Sequence, residues 1–454
     1  MSHLTRGLIL AAVFACLNAL SSHAEEATGD DGGPASQADE ILDGPFEGAA
    51  ATDEVFSPEG ITGDWGGYRT WLSDHGLELS ADLTTTLQGV MDGGFDEAAR
   101  VGGSSELILD IDIEKLGLWP GGFARVAADG RFGDDVVGKA GTLSPVNADA
   151  IFPADLDQVG EDLIAMTEMN ATQFLLPWLG IYGGLLNTTS GDANEYAGFA
   201  RSNEHFWNLG MLLSLVTLQI VPNVTLGGGL VVIPFEGVVG SISFMNTEES
   251  AGSNPFKTDE GWTAVTEWSI DHDLLGLRVG HVVSFAFAFD NDFFKFEDPR
   301  LEYPPDDVPI LRFSSKDESW AFWYNGQLSV WTHDEDEDRS AGIFVRFGYA
   351  DEDTNPIEWN ISAGIGGVGI FDLRPKDRFG IGVYHVEPAD GFPLPQLGIG
   401  EETGFEMFYN LHLIRGVTLS ADLQYIDTSF GPGDFVTRTP DDAWVGGLRL
   451  RIVF

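Results

Sequence analysis

The feature that most constrains this chain is a period-two alternation of apolar and polar residues, repeated along most of its length. In residues 77–88 the odd positions are Leu77, Leu79, Ala81, Leu83, Thr85 and Leu87. The even ones are Glu78, Ser80, Asp82, Thr84, Thr86 and Gln88. Residues 106–114, 405–413 and 417–425 repeat the pattern. Side chains of a β-strand point alternately to opposite faces, so each segment reads as a strand with one apolar and one polar face. After residue 24 no window offers the run of about 20 apolar residues that a membrane helix needs. A chain of this kind that lives in a membrane must do so as a closed barrel, which leaves no backbone group unpaired in lipid.

Alternation also fits a soluble sandwich with inward apolar faces. The connections separate the two. Strands are expected near 77–91, 105–115, 121–132, 163–175, 178–187, 225–234, 238–246 and 262–271. Eight more are expected near 275–287, 319–332, 342–350, 358–371, 378–387, 403–413, 417–427 and 443–454. Compact connections (116–120, 176–177, 235–237, 272–274, 333–341, 372–377 and 414–416) alternate with mostly longer ones (133–162, 188–224, 247–261, 288–318, 388–402 and 428–442). Short turns at one rim and long loops at the other belong to an outer-membrane barrel. The expected fold is therefore all-β: a transmembrane antiparallel up-and-down barrel of about sixteen strands, occupying residues 61–454. Trp444, Leu448, Leu450, Ile452 and Phe454 share one face of the last strand, as in the assembly signal of such barrels. An even strand number puts both barrel ends in the periplasm and the long loops outside.

The N-terminus agrees with export. Arg6 precedes an apolar stretch at 8–20, and Ser22-His23-Ala24 supplies small residues for cleavage after Ala24, so residues 1–24 read as a signal peptide. The alternative is a lipid anchor at Cys16, the sole cysteine. Residues 25–60 hold eleven acids and no Lys or Arg, and read as a disordered leader. Without Arg6 the net charge of −49 becomes −50. Such a chain has no basic surface for nucleic acid. The expected partners are small solutes, outer-membrane lipid and the outer-membrane assembly machinery, with the chain a monomer or a trimer.

Chemistry-bearing motifs are absent. No two of the nine histidines lie at i, i+4, and there is no HExxH, GxSxG or phosphate-binding loop. Neither an enzyme nor a cofactor or metal is expected. The acidic runs 334–338 and 351–353 lack the Gly and terminal Glu of a calcium loop and read as solvated turns.

The informative charges are cations on polar faces. Arg125 and Arg131 share a face with Asp129, Arg346 opposes Ile343, Val345 and Phe347, and Arg449 and Arg451 oppose the apolar set of the last strand. An arginine facing lipid at mid-membrane costs about 2–4 kcal/mol, so all five should point into the lumen. Their expected partners are Asp110, Asp112, Glu406 and Asp422, beside Gln424. Such a ladder either serves solute hydroxyls or pairs within the barrel. Trp323 and Trp331 fall in step with Asn325, Gln327 and Ser329 and are expected as lumen platforms for sugars. Trp119, Trp178, Trp262 and Trp444 lie at strand ends, where they suit an interfacial girdle.

Gly63-Asp64-Trp65-Gly66-Gly67-Tyr68-Arg69, followed by Leu72 and Gly76, resembles the opening of the carbohydrate-selective porin family (OprB type). Arg374-Pro375-Lys376-Asp377 with Gly380 and Gly382, Asp422-Leu423-Gln424-Tyr425-Ile426, and Glu402 and Glu406 before Tyr409-Asn410 also match. The resemblance runs from about residue 60 to the end, with residues 133–224 departing from it. It implies passive diffusion of carbohydrates through a sixteen-strand barrel with a narrowed waist. The alternative function is a barrel that binds or adheres through its outer loops; an active-transport receptor would need a plug larger than residues 25–60. Residues 210–222 (GMLLSLVTLQIVP) are too apolar for an exposed loop, so part of 188–224 is expected to fold back into the lumen, with 133–162 the next candidate.

Overall fold

Sixteen alternating segments can leave no ladder edge open only by pairing each with its chain neighbours and the last with the first. The computed structural model shows that arrangement. It describes residues 60–454 except 154–162, 252–255, 257–260, 298, 303–309 and 434–437. The signal-peptide assignment, and the leader apart from Gly60, lie outside the described residues.

The first nine strands are β1 (Leu77–Gly94), β2 (Ala98–Asp112), β3 (Gly122–Gly133), β4 (Leu163–Leu176), β5 (Leu179–Asn187), β6 (Val224–Phe235), β7 (Val238–Asn246), β8 (Trp262–Leu274) and β9 (Leu277–Phe294). A hairpin outside the barrel, β10 (Arg300–Glu302) and β11 (Ile310–Arg312), follows. The barrel resumes with β12 (Ser315–His333), β13 (Asp336–Ala350), β14 (Ile357–Val368), β15 (Arg378–Pro388), β16 (Glu402–Ile414), β17 (Val417–Thr428) and β18 (Asp441–Val453). All pairings are antiparallel, and β1 meets β18 with Thr86 opposite Arg449.

All sixteen expected strands are present; the hairpin β10–β11 has no counterpart among the expected elements. The largest boundary errors are equal: β2 starts at Ala98 rather than 105, and β9 ends at Phe294 rather than 287. In β2 the cause is plain. Its first residues include Gly102 and Gly103 and carry no alternation; the ladder with β1, not side-chain pattern, makes them a strand. The connection expected at 333–341 shrinks to 334–335 because β12 and β13 run on. Two connections on the long-loop rim are short, 95–97 and 351–356. The first is covered by the neighbouring long loop, with Phe95 N–H donating to Lys139 O at 2.8 Å.

The polar faces turn inward and the apolar faces outward. Ser80, Asp82, Thr84, Thr86 and Gln88 on β1 are buried, whereas Leu87, Leu107, Ile164, Ile381, Met407 and Leu448 are exposed on the outer surface. In water that surface would be a large uncovered apolar patch; in a bilayer it is the lipid-facing band. No helix among the described residues is long and apolar enough to cross a membrane.

The opening motif clasps the seam. Arg69, just inside helix α1 (Tyr68–Asp74), donates from Nη2 to Phe454 O at 2.7 Å and lies 4.6 Å from the Trp65 ring. Ile61 N–H donates to Val453 O, and Phe454 N–H to Ala81 O, each at 2.9 Å. A Cβ on Gly60 would lie 2.7 Å from the Phe454 carbonyl, so glycine is what lets the two ends touch. Asp64 anchors the turn by accepting from Thr70 N–H and Oγ–H at 2.9 and 2.8 Å.

Candidate functional site: a lumen filled by two inserted loops

The interior is built by residues 134–153 and loop 188–223, which enter the barrel and dock on inward-facing side chains. The apolar stretch of the second loop is its centre. Phe206, Trp207, Leu209, Met211, Leu212, Leu213, Val216, Ile220 and Val221 are all buried. They pack against inward apolar residues of the wall, Trp323, Phe344 and Phe408 among them, in the main buried cluster of the molecule. Phe206 sits edge-on to Phe344 and Phe408, with centroids 5.5 and 4.9 Å apart.

A loop inside a barrel must find partners for its backbone groups. The wall supplies them with polar side chains. Glu406 accepts from the backbone N–H of Trp207 and of Asn208, the latter at 3.1 Å. Glu402 precedes it on the same inward face of β16 and accepts from Leu143 N–H at 2.5 Å and Ser144 N–H at 3.0 Å. Gln88 and Gln424 both donate to Val146 O, at 3.0 and 2.9 Å. Asn355 Nδ2 donates to Val216 O at 2.7 Å, and Asn325 Nδ2 to Asp192 O at 2.9 Å.

Arg346 is fully buried. It pairs with the Asp192 carboxylate and donates to Gly198 O at 2.8 Å. Burial pushes the Asp192 carboxyl up, and the Arg346 guanidinium opposes that rise. Arg449 donates to Asn147 Oδ1 at 2.7 Å and lies 4.2 Å over the Trp207 ring. Arg451 bridges Asp82 and Glu204, at 2.9 Å each. Arg131 donates to the carbonyls of Ile151 (3.0 Å) and Pro153 (3.2 Å). Arg201 of the second loop pairs with Glu106 and lies 3.5 Å from Asp129, and burial lowers its own pKa to about 10. Arg125 forms a two-pronged pair with Asp110 at 2.6 and 3.0 Å.

All five arginines expected in the lumen point inward, as do Asp110, Asp129, Glu406, Asp422 and Gln424. Asp422 accepts from Gln424 Nε2 at 2.9 Å. Three expectations need correction. Asp112 caps the turn after β2, accepting from the N–H groups of Glu114 and Lys115 at 2.9 Å, rather than pairing with a lumen arginine. Trp323 points inward but is wholly covered by the second loop, so it offers no face to a solute. Trp331 is on the outer surface: a register shift after Ser329 sets it opposite Ala341, an outward position in step with exposed Ile343. A bulge adds one residue and turns every later side chain to the other face.

Sequence reasoning passed over the loop's own clamps, Asp192, Arg201, Glu204 and Asn208, because an inserted loop has no periodicity to betray them. Of their wall partners, Asn325 beside Asp192 and Glu106 beside Arg201 are legible only as polar inward positions.

Residues 284–454 match the model of the carbohydrate-selective porin, OprB family. The chain is 23% identical over 451 residues to a putative porin, QuiX, of Acinetobacter baylyi, covering 87% of this chain and 93% of that one. It is 23% identical over 454 residues to porin B of Pseudomonas aeruginosa, covering 89% and 94%. The high-pH structure of Pseudomonas putida OprB superposes with a TM-score of 0.72 at 22% identity, covering 87% of this chain and 98% of that one. Over residues 284–454 this chain resembles the carbohydrate-selective porins, and its fold is that of an outer-membrane porin. As an outer-membrane porin it carries its docking surface for the second loop largely on β12–β18, within the stretch that the family model matches.

The porin's Arg346 gives a direct test of loop docking. Arg346→Met would leave Asp192 buried without its cation, which typically costs about 3–5 kcal/mol. The barrel ladder is untouched, so the loss should appear as loosening of loop 188–223. Limited proteolysis of the refolded protein should cut within 188–223 in the variant and not in wild type. Adding Asp192→Asn should restore protection in part. Equal protection of wild type and R346M would show that the ion pair does not hold the loop.

Proposed function

We propose that this porin passes small neutral polyhydroxyl solutes, carbohydrates first, by passive diffusion. The observation that supports this reading is that several lumen charges are paired with one another. Arg125–Asp110, Arg451–Asp82 and Arg346–Asp192 each set a fixed donor edge beside a fixed acceptor edge. Paired charges attract an ion weakly but offer hydroxyl groups donors and acceptors together. The candidate contacts are the less covered pair Asp110 and Arg125, with Arg131 and the more buried Asp129 on the same face as Arg125.

On this reading residues 1–24 direct export and are removed, residues 25–60 form a periplasmic leader, and the loops 133–162, 188–224, 288–318, 388–402 and 428–442 belong to the outer side. Swelling of proteoliposomes provides the test. Hexoses should enter faster than amino-acid zwitterions of similar size, and disaccharides more slowly than either. Equal rates for sugars and zwitterions of equal size would remove the sugar preference while leaving a porin. No swelling with any solute would remove diffusion itself.

A further inference from the structure

At the long-loop end of β15, on the outside of the barrel, one histidine and two glutamates converge. His385 and Glu387 are two apart on a strand and therefore share its outward face. Glu401 reaches the same point from the residue preceding β16. A ring nitrogen of His385 and one oxygen from each carboxylate all lie within 4.8 Å of one another, with His385 Nε2 3.5 Å from Glu387 Oε2.

Three further observations bear on what this cluster holds. The imidazole is oriented from outside the cluster: its Nδ1 is 2.9 Å from Thr403 Oγ1, and its ring lies against Trp359 at 4.9 Å. With Nδ1–H donating to Thr403, Nε2 carries the free lone pair and faces the carboxylates, which is how a ligating histidine is set by its outer partner. Neither carboxylate has a Lys or Arg partner among the described residues, unlike Asp82, Asp110 and Asp192 of the lumen. Glu358, which itself feels the charges of Glu352 and Asp390, adds further negative charge beside Glu387. Two uncompensated anions brought to an imidazole attract a cation, and nitrogen beside oxygen selects a zinc-like ion over calcium or magnesium, which prefer oxygen alone.

We propose that His385, Glu387 and Glu401 form a binding site for a divalent transition-metal ion such as zinc, with its remaining positions open to the exterior. The site is independent of the sugar reading. Two of its ligands sit on the wall of β15 and the third on loop 389–401, so a bound ion ties that loop to the barrel. It lies beyond the outward apolar residues Ile381 and Val383 along β15, toward the long-loop rim.

The test uses the full barrel, refolded in detergent, stripped with chelator and titrated with zinc against a chromophoric competitor. Wild type should take up one zinc per chain. H385A and E387Q should weaken it at least a hundredfold. Thr403→Val, which keeps the shape but removes the outer partner, should weaken it about tenfold to a hundredfold. E335Q, in the acidic turn at the opposite rim, should bind as wild type. Heat-modifiable migration on gels checks that each variant is folded, and T403V serves if H385A is not. Zinc uptake that is unaltered in H385A and T403V, or that is absent from wild type, overturns the site.

Discussion

Replacing residues 205–222 by a short Gly/Ser linker should raise single-channel conductance several-fold and abolish discrimination between mono- and disaccharides. The expected size of the effect follows from what the segment fills. Its apolar side chains form the centre of the main buried cluster, inside the barrel rather than between lipid and wall. The barrel does not need them for closure, because sixteen strands are joined by their own backbone ladders and by the β1–β18 seam. Removal uncovers Trp323, Phe344 and Phe408 to lumen water, a cost of apolar area, and leaves Ala148 N–H and Pro145 O of the first loop to bond water instead of Trp207 and Leu209. Arg201 and Glu204 remain to hold the stump of the loop to Glu106, Asp129 and Arg451. Planar-bilayer recording checks this. Unchanged conductance in a folded variant would place the narrowest point elsewhere. Loss of heat-modifiable migration would make the segment part of the barrel's support.

Deleting Phe454 should leave the protein unassembled. Its backbone N–H closes the ladder to Ala81, and its carbonyl receives Arg69. Removing the residue orphans both partners at the one joint that no covalent turn holds. A hydrogen bond to a charged donor contributes about 1.5–3 kcal/mol, so Arg69→Ala alone should lower stability by that order while still assembling. Cell fractionation separates the two: the deletion should be found in periplasm or aggregates, and R69A in the outer membrane with an earlier unfolding transition. Heat-modifiable barrel in the outer membrane without Phe454 would refute the clasp as a requirement.

What is legible in the sequence follows from period. Alternation fixes which face of β1, β16, β17 and β18 looks inward, so the pattern alone places Arg449, Arg451, Glu406 and Gln424 in the lumen. Trp331 shows the limit: one bulged residue, invisible to pattern, carries it from lumen to exterior. Trp323 shows another. Its direction is right, but burial depends on the apolar stretch 206–221, far earlier in the chain, and periodicity carries no information about what lies over a face. The apolar run 210–222 is readable as an inserted loop because exposed surface of that composition is untenable. Its polar grips, Asp192 on Arg346 and Asn208 under Glu406, have no such signature. The opening motif is recognisable by likeness alone; the contact of Arg69 with Phe454 gives it a physical task.

The distribution of grips around the ring has a mechanical consequence. Strands β12–β18 and β1–β3 hold the inserted loops through side chains such as Asn325, Arg346, Asn360, Glu402, Glu406, Arg449, Gln88 and Arg131. The arc from β4 to β7 meets them chiefly at the root of the second loop, where Thr188 and Asn223 bond across its neck. That arc also contains the two shortest strands of the barrel, β5 and β7, of nine residues each, and Gly183 and Gly184 face Gly228 and Gly227 across β5 and β6. Filling is thus fastened to one side of the cylinder and merely rests against the other, so clearance is eccentric, and displacement of the filling widens it along the glycine-lined arc first.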